Sequence, residues 1–369
     1  MKIADLALQR NKYKHLSDDE WRWMLQQMEG RERTADKLPM FAAMDDWWYP
    51  VRLSCEQCSS EDTARFKASL VSGETMVDLT GGYGVDTYFL NDSFSSIDYI
   101  EQNAELCRIA AHNFANKPIT IHNTSAEEFL ASAGQYDLIF LDPARRDSHG
   151  GKVFRLEDCT PNVVELLPTL LAHGKRLLLK LSPMLDLTQA ATSLSQVSWD
   201  IFVVAIKNEV KEELLLSGGT GQITAVDLAK KDQAFVFSRE EEAGARSEYS
   251  EYSEYSGKYL YEPNAAILKA GAYKLVGARF GLSKLDVNTH LYCSDALVPD
   301  FPGRVWEIKD EGMRGERMKG LNQANVLCRN YPLTPEALKK KLHLRDGGTA
   351  FVIGCRVNGK PTLFYAERI

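Results

Sequence analysis

The chain has 369 residues, 44% apolar and 26% charged, with a formal net charge of −7. That length suggests two or three domains, and the composition excludes wholesale disorder. No apolar run reaches the roughly 18 residues of a membrane span, and the opening segment lacks a signal peptide's apolar core. Seven scattered cysteines, an odd number, argue against a disulfide scaffold, so a cytoplasmic, reducing environment is expected.

The charge is unevenly placed. Asp300–Ile369 carries 13 Lys+Arg against 8 Asp+Glu, which leaves −12 for the rest of the chain. A basic terminal module suits an anionic partner such as nucleic acid, although an ordinary solvated surface has the same excess.

In chain order, Ser17-Asp18-Asp19-Glu20 reads as a capping box, with Trp21, Met24, Leu25 and Met28 at helical spacing behind it. An aromatic cluster, Trp47-Trp48-Tyr49, precedes a second expected helix over Ser60–Val71. This cluster either stacks on bases or, as the commoner use, packs the N-terminal helices onto the next domain. From Thr75 onward short apolar runs (76–79, 96–100, 119–122, 137–141, 176–181 and 200–206) alternate with helical stretches (86–90, 103–114, 126–131, 161–171 and 184–195). Such alternation predicts a parallel, doubly wound sheet. Closing strands are expected at 222–228 and 234–237.

A polar stretch from Arg239, with Ser-Glu-Tyr in three copies over Ser247–Ser256, reads as an exposed linker or hairpin tip. Beyond it, helices are expected at 261–275, 317–324 and from Thr334-Pro335 to Leu342, and strands at 291–294, 305–309 and 325–329. Asn358-Gly359 joins 350–357 and 362–368 as a hairpin, which makes the tail a small α+β module.

The chemistry concentrates at Val77-Asp78-Leu79-Thr80-Gly81-Gly82-Tyr83-Gly84. An apolar strand ends at an acid, and glycines then open into a helix. A dinucleotide diphosphate calls for Gly-x-Gly-x-x-Gly and no acid beside it. S-adenosylmethionine carries no phosphate and presents a cationic amino group and a sulfonium, which an acid tolerates. Glu101 closes the next strand, 17 residues past Gly84, where a carboxylate can accept both ribose hydroxyls. Asp142-Pro143-Ala144-Arg145-Arg146 ends the fourth strand, on the edge where open α/β sheets bind ligands. Arg145 and Arg146 suit either phosphate or the acids Asp147 and Glu157, and Lys180 ends the fifth strand beside the same cleft. Cys159 reads as an ordinary thiol. Cys55-x-x-Cys58 has no second ligand pair, so no metal site is expected.

The glycine loop, Glu101 and Asp142-Pro143 resemble motifs I, II and IV of class I S-adenosylmethionine-dependent methyltransferases. Leu53–Ala64, Asp142–Arg146, Lys180-Leu-Ser-Pro183 and Glu262-Pro-Asn-Ala, in that order, resemble a bacterial group of these enzymes with a C-terminal THUMP-like domain.

The resemblance implies a Rossmann-like sheet over 73–238 after an N-terminal helical segment, 1–72. A linker, 239–257, a ferredoxin-like piece, 258–299, and a THUMP-like domain, 300–369, follow. It implies S-adenosylmethionine held by Asp78, Thr80, Gly82, Gly84, Glu101, Gln102, Ser125 and Ala126, with Gln57 and Ser59 near its methionine end. Asp142 becomes the catalytic residue, and Pro143, Arg145, Arg146 and Lys180 face the substrate. RNA is the implied partner, through the C-terminal domain, where Lys339, Lys340, Lys341 and Arg345 could track phosphates or form a solvated helix face. The alternatives are a small-molecule or protein methyltransferase, or a donor- and RNA-binding module without turnover.

Overall fold

The computed structural model describes residues 10–144, 155–249, 257–311 and 320–369. The chain divides into two compact units, Met1–Trp199 with Glu213–Gly219, and Asp200–Glu212 with Thr220–Ile369.

Five parallel strands make the sheet of the first unit: β1 (Gly73–Asp78), β2 (Phe94–Ile100), β3 (Ile119–His122), β4 (Tyr136–Leu141) and β5 (Gly174–Leu181), in the order β3-β2-β1-β4-β5. Met76, Val77, Ile139 and Leu177–Leu179 are fully buried, which explains why these strands read as continuous apolar runs. Helices Val85–Leu90, Ala104–Asn113, Ala126–Leu130 and Val163–His173 connect them.

β6 (Trp199–Ile206) then leads into β7 (Glu209–Ser217), a strand not anticipated from the sequence. The part of β7 within the first unit runs antiparallel to β5, from Leu181 opposite Glu213 to Leu178 opposite Leu216. Its charged opening, Glu-Val-Lys-Glu-Glu, hid it from a hydrophobicity reading.

The N-terminal segment forms helices Asp18–Thr34, Pro39–Ala42, Arg52–Gln57 and Glu61–Leu70, the first held by the expected Ser17/Glu20 box. Trp47 stacks on Phe41 with ring centroids 4.0 Å apart and donates from its indole nitrogen to the Tyr83 hydroxyl at 2.8 Å. Trp47 and Tyr49 are buried, so the aromatic cluster is packing and not a base platform. Trp48 lies flat on His112 at 3.8 Å. The segment therefore braces the glycine loop, which contains Tyr83.

In the second unit β6 pairs in parallel with β8 (Gln222–Asp227), and β9 (Phe235–Ser238) runs antiparallel to β8. Its larger sheet has seven strands: β10 (Tyr259–Pro263), β11 (Ser283–Asp286), β12 (Thr289–Ser294), β13 (Gly303–Glu311), β14 (Asn325–Arg329), β15 (Ala350–Val357) and β16 (Lys360–Arg368). Their order is β11-β12-β10-β13-β16-β15-β14. The sheet curls, since the Asn358 amide donates to the Leu285 carbonyl at 3.0 Å and the Asn330 side chain reaches Thr289 at 3.2 Å. The core inside includes Leu260, Leu291, Trp306, Ile353 and Phe364. Helix Pro335–Lys341, capped by Thr334, buries Leu338 in a second cluster.

Three expectations are corrected. Residues 261–275 are not one helix: strand β10 ends at Pro263, and Asn264 caps the short helix Ala265–Ala270 by accepting from the Ile267 amide at 3.0 Å. Gly271, at φ +85°, stops that helix before Leu275–Phe280 begins. Proline inside the pattern forces the first break, and a left-handed residue forces the second. The expected helix at 317–324 is also absent from its described part: Ala324 donates to the Arg345 carbonyl at 3.0 Å instead. The supposed linker opens with a helix, Arg239–Gly244, whose Glu242 accepts from the amides of Tyr273, Lys274 and Leu275. The triplicate repeat falls mostly outside the described residues.

Candidate functional site

The carboxyl edge of the first sheet gathers the ends of β1, β2, β4 and β5. Asp78 closes β1 and is 1% exposed. Its Oδ1 accepts from the Thr80 amide at 2.9 Å, and its Oδ2 accepts from the Thr87 hydroxyl at 2.5 Å. Burial pushes this carboxyl up to about 7, against the pull of the Thr87 and Thr80 hydrogen bonds. Asp78, the acid expected to meet the donor's cation, also pins the loop. Thr80 relays that pin, its hydroxyl accepting from the Asp142 amide at 2.7 Å.

The loop glycines divide by role. A Cβ on Gly81 would lie 2.2 Å from the Tyr99 ring, and one on Gly84 (φ +80°) 2.5 Å from Phe114, so these two serve close packing. Gly82, at φ +60°, has nothing nearer to a Cβ than the Thr80 carbonyl oxygen at 3.7 Å. Only Gly82 leaves an open approach for a ligand.

Glu101 follows β2 directly. Its Oε2 accepts from the Gly82 amide at 2.9 Å and its Oε1 from the Asn103 amide at 2.7 Å. Two backbone donors fix the carboxylate, while the lone pairs they leave can accept a diol. Asn123 donates to the carbonyls of Glu101 and Gln102, both at 2.9 Å, and so holds the turn where Gln102 stands exposed. Ser125 caps helix Ala126–Leu130 in a box with Glu128, and Ala126 is buried at its start. These positions are compatible with a nucleoside: one open glycine, one braced carboxylate and a helix start on the same strand edge.

Beneath the β4 turn lies a chain of charges. The Lys180 ammonium donates to Asp142 Oδ2 at 2.5 Å and stands 3.6 Å from Asp86 Oδ2. Lys67 lies 3.1 Å from Asp86 Oδ1, and the Ser59 hydroxyl donates to Asp86 Oδ2 at 2.7 Å. Exposure of the charged side chains rises along the series, from 0% at Lys67 through about a tenth at Asp86 and Lys180 to 39% at Asp142. Burial disfavours the Asp86 anion, yet Lys67, Lys180 and Ser59 hold its carboxyl below the usual range. Pro143 is buried, and Ala144 forms a two-bond bridge with Thr160.

Lys67 and Asp86 were missed by sequence reasoning. The available signal was a lysine on the buried face of helix Glu61–Leu70, with Thr63 and Ala64, and an acid in the first turn after the glycines. Ser59 was singled out, but the structure commits it to Asp86, while Gln57 is exposed at the end of its helix. Arg145 and Arg146 lie outside the described residues.

All seven cysteines are free thiols. Burial pushes Cys55 up to about 12, and Cys159 is buried. Lys339 pairs with Asp346 at 2.5 Å, whereas Lys340, Lys341 and Arg345 are exposed. Among the described residues no helix is long and apolar enough to cross a membrane.

Residues 259–302 match the model of a ferredoxin-like domain family, and residues 303–368 match that of a THUMP domain-like family. The chain is 24% identical over 347 residues to an uncharacterized S-adenosylmethionine-dependent methyltransferase of Mycobacterium tuberculosis (strain H37Rv), covering 91% of this chain and 92% of that protein. The crystal structure of a candidate methyltransferase from Porphyromonas gingivalis W83 superposes with a TM-score of 0.86 at 33% identity, over 96% of this chain and 92% of that one.

Proposed function

Since the chain belongs to the class I S-adenosylmethionine-dependent methyltransferases with a C-terminal THUMP-like domain, we propose that it methylates a base of tRNA or rRNA in the cytoplasm. S-adenosylmethionine is its cofactor, and when bound it supplies an electrophilic methyl group on a sulfonium. The observation that carries the reading is the meeting, through Thr80, of the glycine loop with the Asp142 turn. One short relay sets the donor side against the acceptor side, as a displacement with aligned reactants requires.

Gly82 gives the nucleoside a close approach, and Glu101 accepts from its ribose hydroxyls. Gln102, Ser125 and Ala126 flank the base. Asp78 and Gly84 shape the loop without touching the ligand. Ser59 is committed to Asp86 and takes no part in holding the donor, and Gln57 stands at the rim.

Asp142 Oδ2 is taken by Lys180, which leaves Oδ1 to accept from an N–H or O–H on the acceptor and so to aim its lone pair. The proton lost on methylation is then within reach of that carboxylate or of solvent. Pro143 fixes the turn, and the guanidinium groups of Arg145 and Arg146 suit the RNA phosphates. The THUMP-like domain, with Lys340, Lys341 and Arg345 exposed, supplies further phosphate contacts.

The test is methyl transfer from labelled S-adenosylmethionine into RNA from a strain lacking this gene, with wild-type RNA as control. Label entering only the deletion-strain RNA is the expected result. No label in either RNA, from protein that binds the donor, would turn the assignment toward small-molecule or protein acceptors.

A further inference from the structure

Methyl transfer to an acceptor at Asp142 does not itself require two further charges buried behind Lys180. Lys67 is fully buried, and burying an ammonium is costly unless it is paired. An apolar side chain on that helix face would pack without the cost. Lys67 instead meets Asp86, whose second oxygen faces Lys180 and Ser59. Signs alternate from the interior outward, with Lys67 positive, Asp86 negative, Lys180 positive and Asp142 negative, and each step is 3.6 Å or less.

We propose that the buried Lys67–Asp86 pair is the positioning device of the acceptor site. It holds Lys180 as an ammonium against Asp142 Oδ2, so that Asp142 meets the acceptor ionised and fixed, with Oδ1 presented. The inference rests on the reading that Asp142 faces the acceptor. Among the described residues, charged or titratable groups near Lys180 include Asp86 from the helix after the loop, Asp142 from the β4 turn and Cys58 from the N-terminal segment. Asp78, from β1, feels both Asp86 and Asp142. Lys67 and Asp86 would act on the acceptor side through Lys180. Asp86 shares Lys180 with Asp142, and Lys67 limits how strongly Asp86 draws it away.

The test uses the full chain labelled with 13Cε-lysine, with the Lys180 signal assigned by its loss in Lys180→Arg. In the charge-balanced double variant Lys67→Met/Asp86→Asn, Lys180 loses the Asp86 carboxylate. Its titration midpoint should fall by about one pH unit or more. Lys67→Gln keeps a donor for Asp86 but removes the competing cation, so Lys180 should titrate higher than in the native protein. Opposite shifts in two folded variants would not arise from loosened packing. An unchanged Lys180 midpoint in either folded variant overturns the proposal.

With RNA as acceptor, the double variant should bind S-adenosylhomocysteine within about twofold of native and lose at least about tenfold in kcat. The alkaline limb of its pH profile should move to lower pH. The same loss without that movement would make the pair merely structural and would also overturn the proposal. A native protein that transfers no methyl group to RNA would sink the RNA assignment, while the lysine titration would still decide the role of Lys67 and Asp86.

Discussion

Each unit buries one carboxylate between two cations, and the two arrangements end differently. In the second unit Glu262, 2% exposed, accepts from Arg329 and forms an ion pair with Arg304, and these arginine side chains are 38% and 25% exposed. The cluster ends at solvent on two flexible, hydratable arms. In the first unit Asp86 lies between Lys67 and Lys180, which are 0% and 11% exposed, and the series continues to Asp142 at the carboxyl edge of the sheet. Both clusters satisfy the same electrostatic requirement. What sets the first apart is that it continues to Asp142, a carboxylate 39% exposed with one oxygen held by Lys180.

The sharpest way to break this comparison is to remove each central acid. Asp86→Ala removes the carboxylate that faces a fully buried ammonium and is expected to cost about 3–5 kcal/mol of stability. Glu262→Ala leaves arginines that can turn to water, and a cost of roughly 1–2 kcal/mol is expected. Urea midpoints of the two variants measure the ranking; equal losses would remove the distinction.

A smaller effect separates the glycines. Gly84→Ala places a methyl group into Phe114 at a left-handed position and should destabilise by about 2–3 kcal/mol. Gly82→Ala meets no such clash and should cost only about 1 kcal/mol in stability while weakening S-adenosylhomocysteine binding at least tenfold. Thermal melts and calorimetry read the two losses separately. Gly84→Ala with native stability would contradict the packing role.

Smaller again is a pH effect at Asp78. Its folded carboxyl titrates near 7, above the unfolded value, so the folded state binds the extra proton between about pH 4 and 7. Its contribution to stability is present at the acid end of that window and is lost as pH rises through 7. Asp78→Asn should flatten this slope, by at most roughly 4 kcal/mol across the window. Unfolding midpoints from pH 4 to 8 would show it, and an unchanged slope would mean that Asp78 is ionised throughout.

Much of the first unit was legible in the sequence, because strands buried on both faces are apolar along their length and the helices announce themselves by caps. β3 was expected at its observed bounds, and Ser17/Glu20 acts as the box its spacing suggested. The same logic failed where tertiary contacts overrode local pattern. β7 opens with charges, and β10 carries the apolar spacing of a helix until Pro263 ends it.

Glu101 follows the second strand, as its place in the sequence suggested, and accepts from the Gly82 amide. Asp78 is buried and bonded to Thr80 and Thr87, a three-dimensional fact that linear spacing does not carry. Lys67 and Asp86, 19 residues apart in the chain, become partners only once the helix Glu61–Leu70 docks beside the loop.

The most direct test of the donor site is calorimetric titration of S-adenosylhomocysteine into three proteins: native, Glu101→Gln and Glu262→Gln. The account predicts binding to the native chain, at least about tenfold weaker binding (roughly 1.4 kcal/mol) in Glu101→Gln, and affinity within twofold of native in Glu262→Gln. Native affinity in Glu101→Gln, or equal weakening in both variants, would contradict the assignment of the carboxyl edge of β1 and β2 as the place where the cofactor is held.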